Sequence, residues 1–75
     1  MDVRVIVGQN VKRLRRESGL SQETLASAAD FSRAYLSGLE AGKRNPTIVS
    51  LWRLSDALGV PLEELFRGSS HHLVS

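Results

Sequence analysis

Arg33, Ala34 and Ser37 bring a guanidinium, a methyl and a hydroxyl within five residues of one another. If the stretch is helical, residues three and four apart are neighbours, so all three groups face the same way. Ser32 just before them is a good N-cap, which puts Arg33 at the leading end of that helix. Such a face can read a nucleic acid. An arginine fork donates two parallel hydrogen bonds to guanine O6 and N7, an alanine touches a thymine methyl, and a hydroxyl suits either kind of base. The plainer reading of Arg33 is a solvated or phosphate-bound side chain, and Ala34 also serves as neutral filler. Gln22, at the start of another helical stretch, adds an amide where free backbone N–H groups already favour a phosphate. Lys43, Arg44 and Asn45 follow on a loop, and with Ser32 and Tyr35 they are candidates for contact with a nucleic-acid backbone. The alternatives are a solvated charge run for the loop and a purely packed ring for Tyr35.

Chemistry of the bond-making kind has no such residues. The chain lacks Cys altogether, its two histidines are His71 and His72 near the end, and no glycine-rich loop could cradle a phosphate. Glu63-Glu64 suits the first turn of a short helix better than a catalytic pair. Two adjacent histidines without further ligands make no metal site. The expectation is a non-enzymatic binding protein without cofactor, metal or small-molecule ligand.

The 75 residues are enough for one small domain, expected over 1–67 with a flexible tail at 68–75. Without cysteine that domain is held by its apolar core, with or without a partner subunit. No apolar run is long enough to cross a membrane and the opening residues do not form a secretory signal, so a cytoplasmic location is expected. Net charge is only +2, but it is unevenly spread. Residues 1–45 hold eight basic against five acidic side chains, and residues 46–75 hold two against three. The first half is the one suited to a polyanion.

Helical spacing and helix stops dominate the chain. Val7, Val11 and Leu14 predict a first helix from about residue 4 to Ser18. A short strand over Val3–Val7 is the competing reading, disfavoured because nothing else could pair with it. Ser21 caps a second helix over about Gln22–Ala29, and Ser32 a third ending near Glu40 or Ala41. Thr47 caps a fourth, whose apolar face is Ile48, Leu51, Leu54, Ser55 and Leu58. Pro61 opens a short fifth with Leu62, Leu65 and Phe66 on its apolar side. Gly19, Gly42 and Gly59 stand where helices end. The fold class is all-α, five short helices.

The second and third helices, at about 22–40, are joined by a tight turn. Ala26 is small where two steeply crossed axes approach, Asp30 accepts positive φ, and Leu36 and Leu39 lock the third helix back. This specifies a helix-turn-helix, although an ordinary αα-hairpin with no nucleic-acid role meets the same spacing. The residues themselves carry more. Gly19-Leu20-Ser21-Gln22-Glu23-Thr24-Leu25-Ala26, Ser32-Arg33-Ala34-Tyr35-Leu36-Ser37 and Glu40-Ala41-Gly42-Lys43-Arg44-Asn45-Pro46 resemble the Cro and phage-repressor type of DNA-binding domain, the XRE family. The likeness runs over about residues 7–66. Within the family, Arg33-x-Tyr35-x-Ser37-Gly38-x-Glu40 followed by Arg44-Asn45-x-Thr47 looks most like the controller proteins of restriction–modification systems.

The resemblance implies a lambda-repressor-like fold, a phosphate contact at Gln22, and a structural ion pair between Arg15 and Glu40. It also implies a dimeric transcriptional regulator binding a palindromic operator. The surplus of apolar residues late in the chain agrees with a homodimer, with Val49, Trp52, Leu62, Leu65 and Phe66 as its interface, although Trp52 could instead complete the core. A protein-binding antitoxin on the same fold is the alternative. Two positions depart from the family. Asp30 stands where Gly is common. Gly38, in mid-helix, costs about 1 kcal/mol of helix propensity and offers a base no side chain, so it either lets DNA approach closely or is merely tolerated.

Overall fold

The computed structural model describes residues 2–68. Among them are four α-helices, α1 (Val3–Glu17), α2 (Gln22–Ala28), α3 (Arg33–Glu40) and α4 (Ile48–Leu58), and a terminal 3-10 helix, Leu62–Phe66; there is no strand. The expected fifth helix is thus a 3-10 turn. The chain between Pro61 and Arg67 offers five residues and no capping side chain, too little to close an α-helical ladder. Val3–Val7, the segment that could have been a strand, forms the first turns of α1. The tail expected from residue 68 and the His71-His72 pair lie outside the described residues, Gly68 excepted.

Every α-helix is started and stopped by a local device. Asp2, Ser21, Ser32 and Thr47 accept hydrogen bonds from the backbone N–H groups of Arg4, Thr24, Tyr35 and Ser50. Arg4 also reaches back with its guanidinium. That hydrogen bond, and then the one from its backbone amide, hold the Asp2 carboxyl down at about 2. At the other end, each helix closes with a residue of positive φ and a backbone bond spanning five residues. Leu20 donates to Arg15, Phe31 to Ala26, Lys43 to Gly38 and Val60 to Ser55. At the α2 end the positive-φ position is Asp30, at 63°, as the sequence leads one to expect for this turn. Asp tolerates this region better than most side chains because its carboxylate solvates the adjacent backbone.

Capped helices this short still need a shared core. Val7, Val11 and Leu14 of α1, Leu25 and Ala26 of α2, Leu36 and Leu39 of α3, and Leu51 and Leu54 of α4 supply it, with Ala29 and Leu65. Ile48 is not part of that core. At the first position of α4 it points outward and is 70% exposed.

α1 buries two polar residues, Asn10 and Arg15. Asn10 donates through Nδ2 to the carbonyls of Leu65 (2.9 Å) and Arg67 (2.8 Å), fastening the terminal 3-10 helix to α1. α1 also crosses α3 at very close range. A Cβ placed on Gly8 would run into the Leu39 carbonyl oxygen and come to 2.8 Å from that of Glu40, both backbone atoms. Gly8→Ala should therefore force α1 and α3 apart. We expect a loss of about 3 kcal/mol, the upper end of overpacking costs, read as a lower urea midpoint, despite alanine's better helix propensity.

Candidate nucleic-acid interface

The C-terminal end of α2, the Ala29–Ser32 turn and α3 make the two-helix unit. Phe31 donates its backbone N–H to the Ala26 carbonyl at 2.7 Å, so the turn is drawn tightly onto α2. α3 then leaves with Leu36, Leu39 and Glu40 facing inward. The face opposite carries Arg33, Ala34 and Ser37, all exposed. Tyr35 lies on the flank, half-buried, its ring 5.1 Å from that of Phe31 and tilted by 40°. Ser32 spends its hydroxyl oxygen as an acceptor for the Tyr35 N–H, and its side chain remains exposed.

A buried ionic network fixes α3 at its far end. Arg15 donates from Nε to Glu40 Oε2 at 2.7 Å and from Nη2 to Oε1 at 3.1 Å, a two-bond fork. Its Nη1 reaches the Leu20 carbonyl at 2.8 Å. Gln22 completes the set, its Nε2 donating to Glu40 Oε1 at 3.0 Å. One amide hydrogen of Gln22 is therefore committed inside the protein, and what it can offer a phosphate is the remaining amide hydrogen at the start of α2. No described buried side-chain polar atom lacks a partner.

After α3, Gly42 turns the chain at φ 76° and Lys43 bonds back to Gly38. Lys43 and Asn45 are exposed on the loop. Arg44 does not extend away from it. The side chain folds back over α3, with Cζ 5.5 Å from the centre of the Tyr35 ring and Nε against the backbone of Gly38. The glycine that the sequence left with two readings thus has an occupant. Nothing in residue spacing connects positions 38 and 44; the link is made by the turn.

Of the five residues expected at a subunit contact, Val49 and Trp52 are well exposed, at 57% and 59%, and with Ile48 they make an apolar stripe on α4. Trp52 is therefore no core residue. Leu62 and Phe66 are half-buried against the core. Leu65 has no exposed surface at all and cannot touch a partner. Asn10 fixes the carbonyl of 65 against α1, and the Leu65 side chain is part of the hydrophobic core.

Residues 11–65 match the helix-turn-helix family profile. This chain belongs to the XRE-type helix-turn-helix family. The family is one of DNA-binding transcription regulators. Over 65 residues the chain is 54% identical to the uncharacterized HTH-type transcriptional regulator y4dJ of Sinorhizobium fredii, covering 87% of this chain and 84% of that one. It is 44% identical over 66 residues to the control protein C.MunI of a Mycoplasma species, covering 87% and 89%. The crystal structure of the restriction-modification controller protein C.AhdI from Aeromonas hydrophila superposes with a TM-score of 0.82 at 43% identity, covering 84% of this chain and 96% of that one.

The XRE-type fold in this chain depends on a pair whose removal is lopsided. Deleting one partner strands the other in a nearly dry site, which costs about 3–5 kcal/mol. Arg15→Met and Glu40→Met should each show a loss of that size in chemical denaturation. The double variant should lose less than the two losses combined, and simple additivity would mean that the charges are not coupled.

Proposed function

We propose that this protein is a sequence-specific transcriptional regulator that binds a palindromic operator as a homodimer, in the manner of a restriction–modification controller. The observation that carries the reading is the free outer face of α3, where Arg33, Ala34 and Ser37 stand exposed while the rest of the helix is anchored by Leu36, Leu39 and the Glu40 network. A helix held this firmly, with an arginine at its leading end, is suited to lie in a major groove. In this reading Arg33, Ala34 and Ser37 meet base edges, while Gln22, Ser32, Tyr35, Lys43, Arg44 and Asn45 meet phosphates. The names of C.MunI and C.AhdI support a controller over an antitoxin. The regulator would act in the cytoplasm; no described helix is long and apolar enough to cross a membrane.

The apolar stripe Ile48, Val49 and Trp52, extended by the exposed parts of Leu62 and Phe66, is the surface on which two copies meet. Its position on α4 leaves α3 free, so that two-fold symmetry sets the two reading helices about 34 Å apart, one turn of DNA. Trp52→Glu should convert the dimer to a monomer in sedimentation while leaving the far-UV helical signal intact, because the indole is mostly outside the core; its melting temperature should lose the dependence on protein concentration that a dimer shows. A wild-type protein that is monomeric at tens of micromolar, a concentration at which even small specific interfaces associate, would remove the dimer.

Reading and positioning separate experimentally. In a binding selection on randomised duplexes, Arg33→Ala should lose preference at one base pair in each half-site, with discrimination falling by about 1–3 kcal/mol. Lys43→Ala should select the same bases as wild type, bind every sequence more weakly and show a shallower salt dependence. If Arg33→Ala selects the wild-type bases and differs only in affinity, Arg33 is a phosphate contact.

A further inference from the structure

Arg44 is exposed, but its stem lies in a shallow slot on α3. The floor is the backbone of α3 at Gly38, where an added Cβ would stand 2.9 Å from Arg44 Nε, 3.2 Å from Cγ and 3.6 Å from Cδ. The wall is the Tyr35 ring, with the guanidinium carbon 5.5 Å from its centre, within cation–π range. The ring is steadied in turn by Phe31. The turn that delivers the side chain is closed by the Lys43 N–H bond to the Gly38 carbonyl at 2.9 Å, with Gly42 in the left-handed region. Gly38 therefore contributes both the carbonyl that returns the chain and the bare backbone on which the returned side chain lies.

The outer end of Arg44 is uncommitted. Among the described residues no carboxylate pairs with it and no acceptor hydrogen-bonds its guanidinium. Arg15 differs in this respect, with its donors turned inward to Glu40 and Leu20. A cation held by a ring and a glycine but not neutralised presents its N–H donors to an acceptor-rich, anionic ligand. Gly38 lies close to the outward direction of α3, between Ala34 and the Tyr35 flank, so that ligand is the one α3 meets.

We propose that Gly38 is a positioning residue for DNA binding. It keeps open the slot that pre-sets the Arg44 guanidinium beside the reading face of α3. The proposal rests on the DNA-binding reading above. Without the slot, Arg44 is an ordinary flexible side chain on a loop and must be ordered at the moment of binding, which weakens the complex. This accounts for a glycine in mid-helix, where alanine would be the better helix former. A methyl group on residue 38 is small enough to leave α3 intact, because the atoms it displaces belong to one flexible side chain.

The test is a four-protein cycle of wild type, Gly38→Ala, Arg44→Ala and the double variant. The probe is the duplex recovered by wild type from a random pool. Gly38→Ala should melt a few degrees higher, as helix propensity requires. Its operator affinity should nevertheless fall on the order of tenfold, the scale of one charge-assisted hydrogen bond. Arg44→Ala should lose at least as much, and adding Gly38→Ala to it should change binding no further. In the DNA-free protein, the Arg44 side-chain NMR resonances should show a ring-current shift from Tyr35 that Gly38→Ala removes. Undiminished operator binding by Gly38→Ala overturns the proposal. So does an equal loss with and without Arg44, which would mean that the methyl obstructs DNA directly. If wild type recovers no duplex at all, the functional reading fails instead, and the ring-current shift still reports whether Gly38 holds the slot open.

Discussion

The Arg15–Glu40 fork is the interaction on which the geometry of the domain depends. Two charges in a nearly dry site are stabilising only if every donor and acceptor is matched, and here the matching partners come from different parts of the chain. Arg15 belongs to α1, the Leu20 carbonyl to the connection after it, Gln22 to α2 and Glu40 to the end of α3. A purely apolar contact would tolerate sliding, whereas this network is satisfied in one arrangement of the three helices. Beside it, Gly8 lets α1 pass directly over the carbonyls of Leu39 and Glu40. Close approach and fixed register therefore occur at the same point, where the last turn of α3 meets α1.

With α3 fixed from behind, its outer face is free to be polar, small and exposed. The sequence conflicts that remain fall on that face or at its edges. Asp30 is a side chain in a left-handed turn, Gly38 a glycine in a helix, and Arg44 a charge folded onto an aromatic ring. Departures from local preference concentrated at one surface are what a binding face produces. The second surface, on α4, departs in another way. Thr47 starts the helix so that Leu51 and Leu54 point inward, and the apolar residues at 48, 49 and 52 are then left on the outside.

Much of this was legible in the residues. Capping serines and threonine, helix-ending glycines and the spacing of Val7, Val11 and Leu14 locate the elements to within a residue or so, because each signal is a local hydrogen bond or a short-range periodicity. Ala26, Asp30, Leu36 and Leu39 specify the helix pair for the same reason. What escaped depends on contacts distant in the chain. Leu65 reads as one more apolar residue of a surface helix, and only the packing of the terminal 3-10 helix onto the domain shows it to be core. Arg44 reads as a loop cation until the turn at Gly42 folds it onto Gly38. Asn10 could have been noticed, as a polar residue inside the apolar stripe of α1, although its partners at 65 and 67 could not. The membership of Arg33, Ala34 and Ser37 in one exposed face follows from helical spacing alone.

The bonds from Asn10 to the carbonyls of Leu65 and Arg67 also bear on how the chain is made. They join positions 55 and 57 residues apart, whereas the caps and helix-closing bonds each span only a few. During synthesis, which proceeds from the N-terminus, α1 to α3 and their ionic network can assemble once Glu40 has emerged. Asn10 must wait, solvated by water, until the residues of the terminal 3-10 helix leave the ribosome. Until then the apolar core also lacks Leu65. A product cut short before Leu65 would leave Asn10 without the two carbonyls its amide reaches and the core without Leu65, while every residue of the Arg15–Glu40 network would still be present.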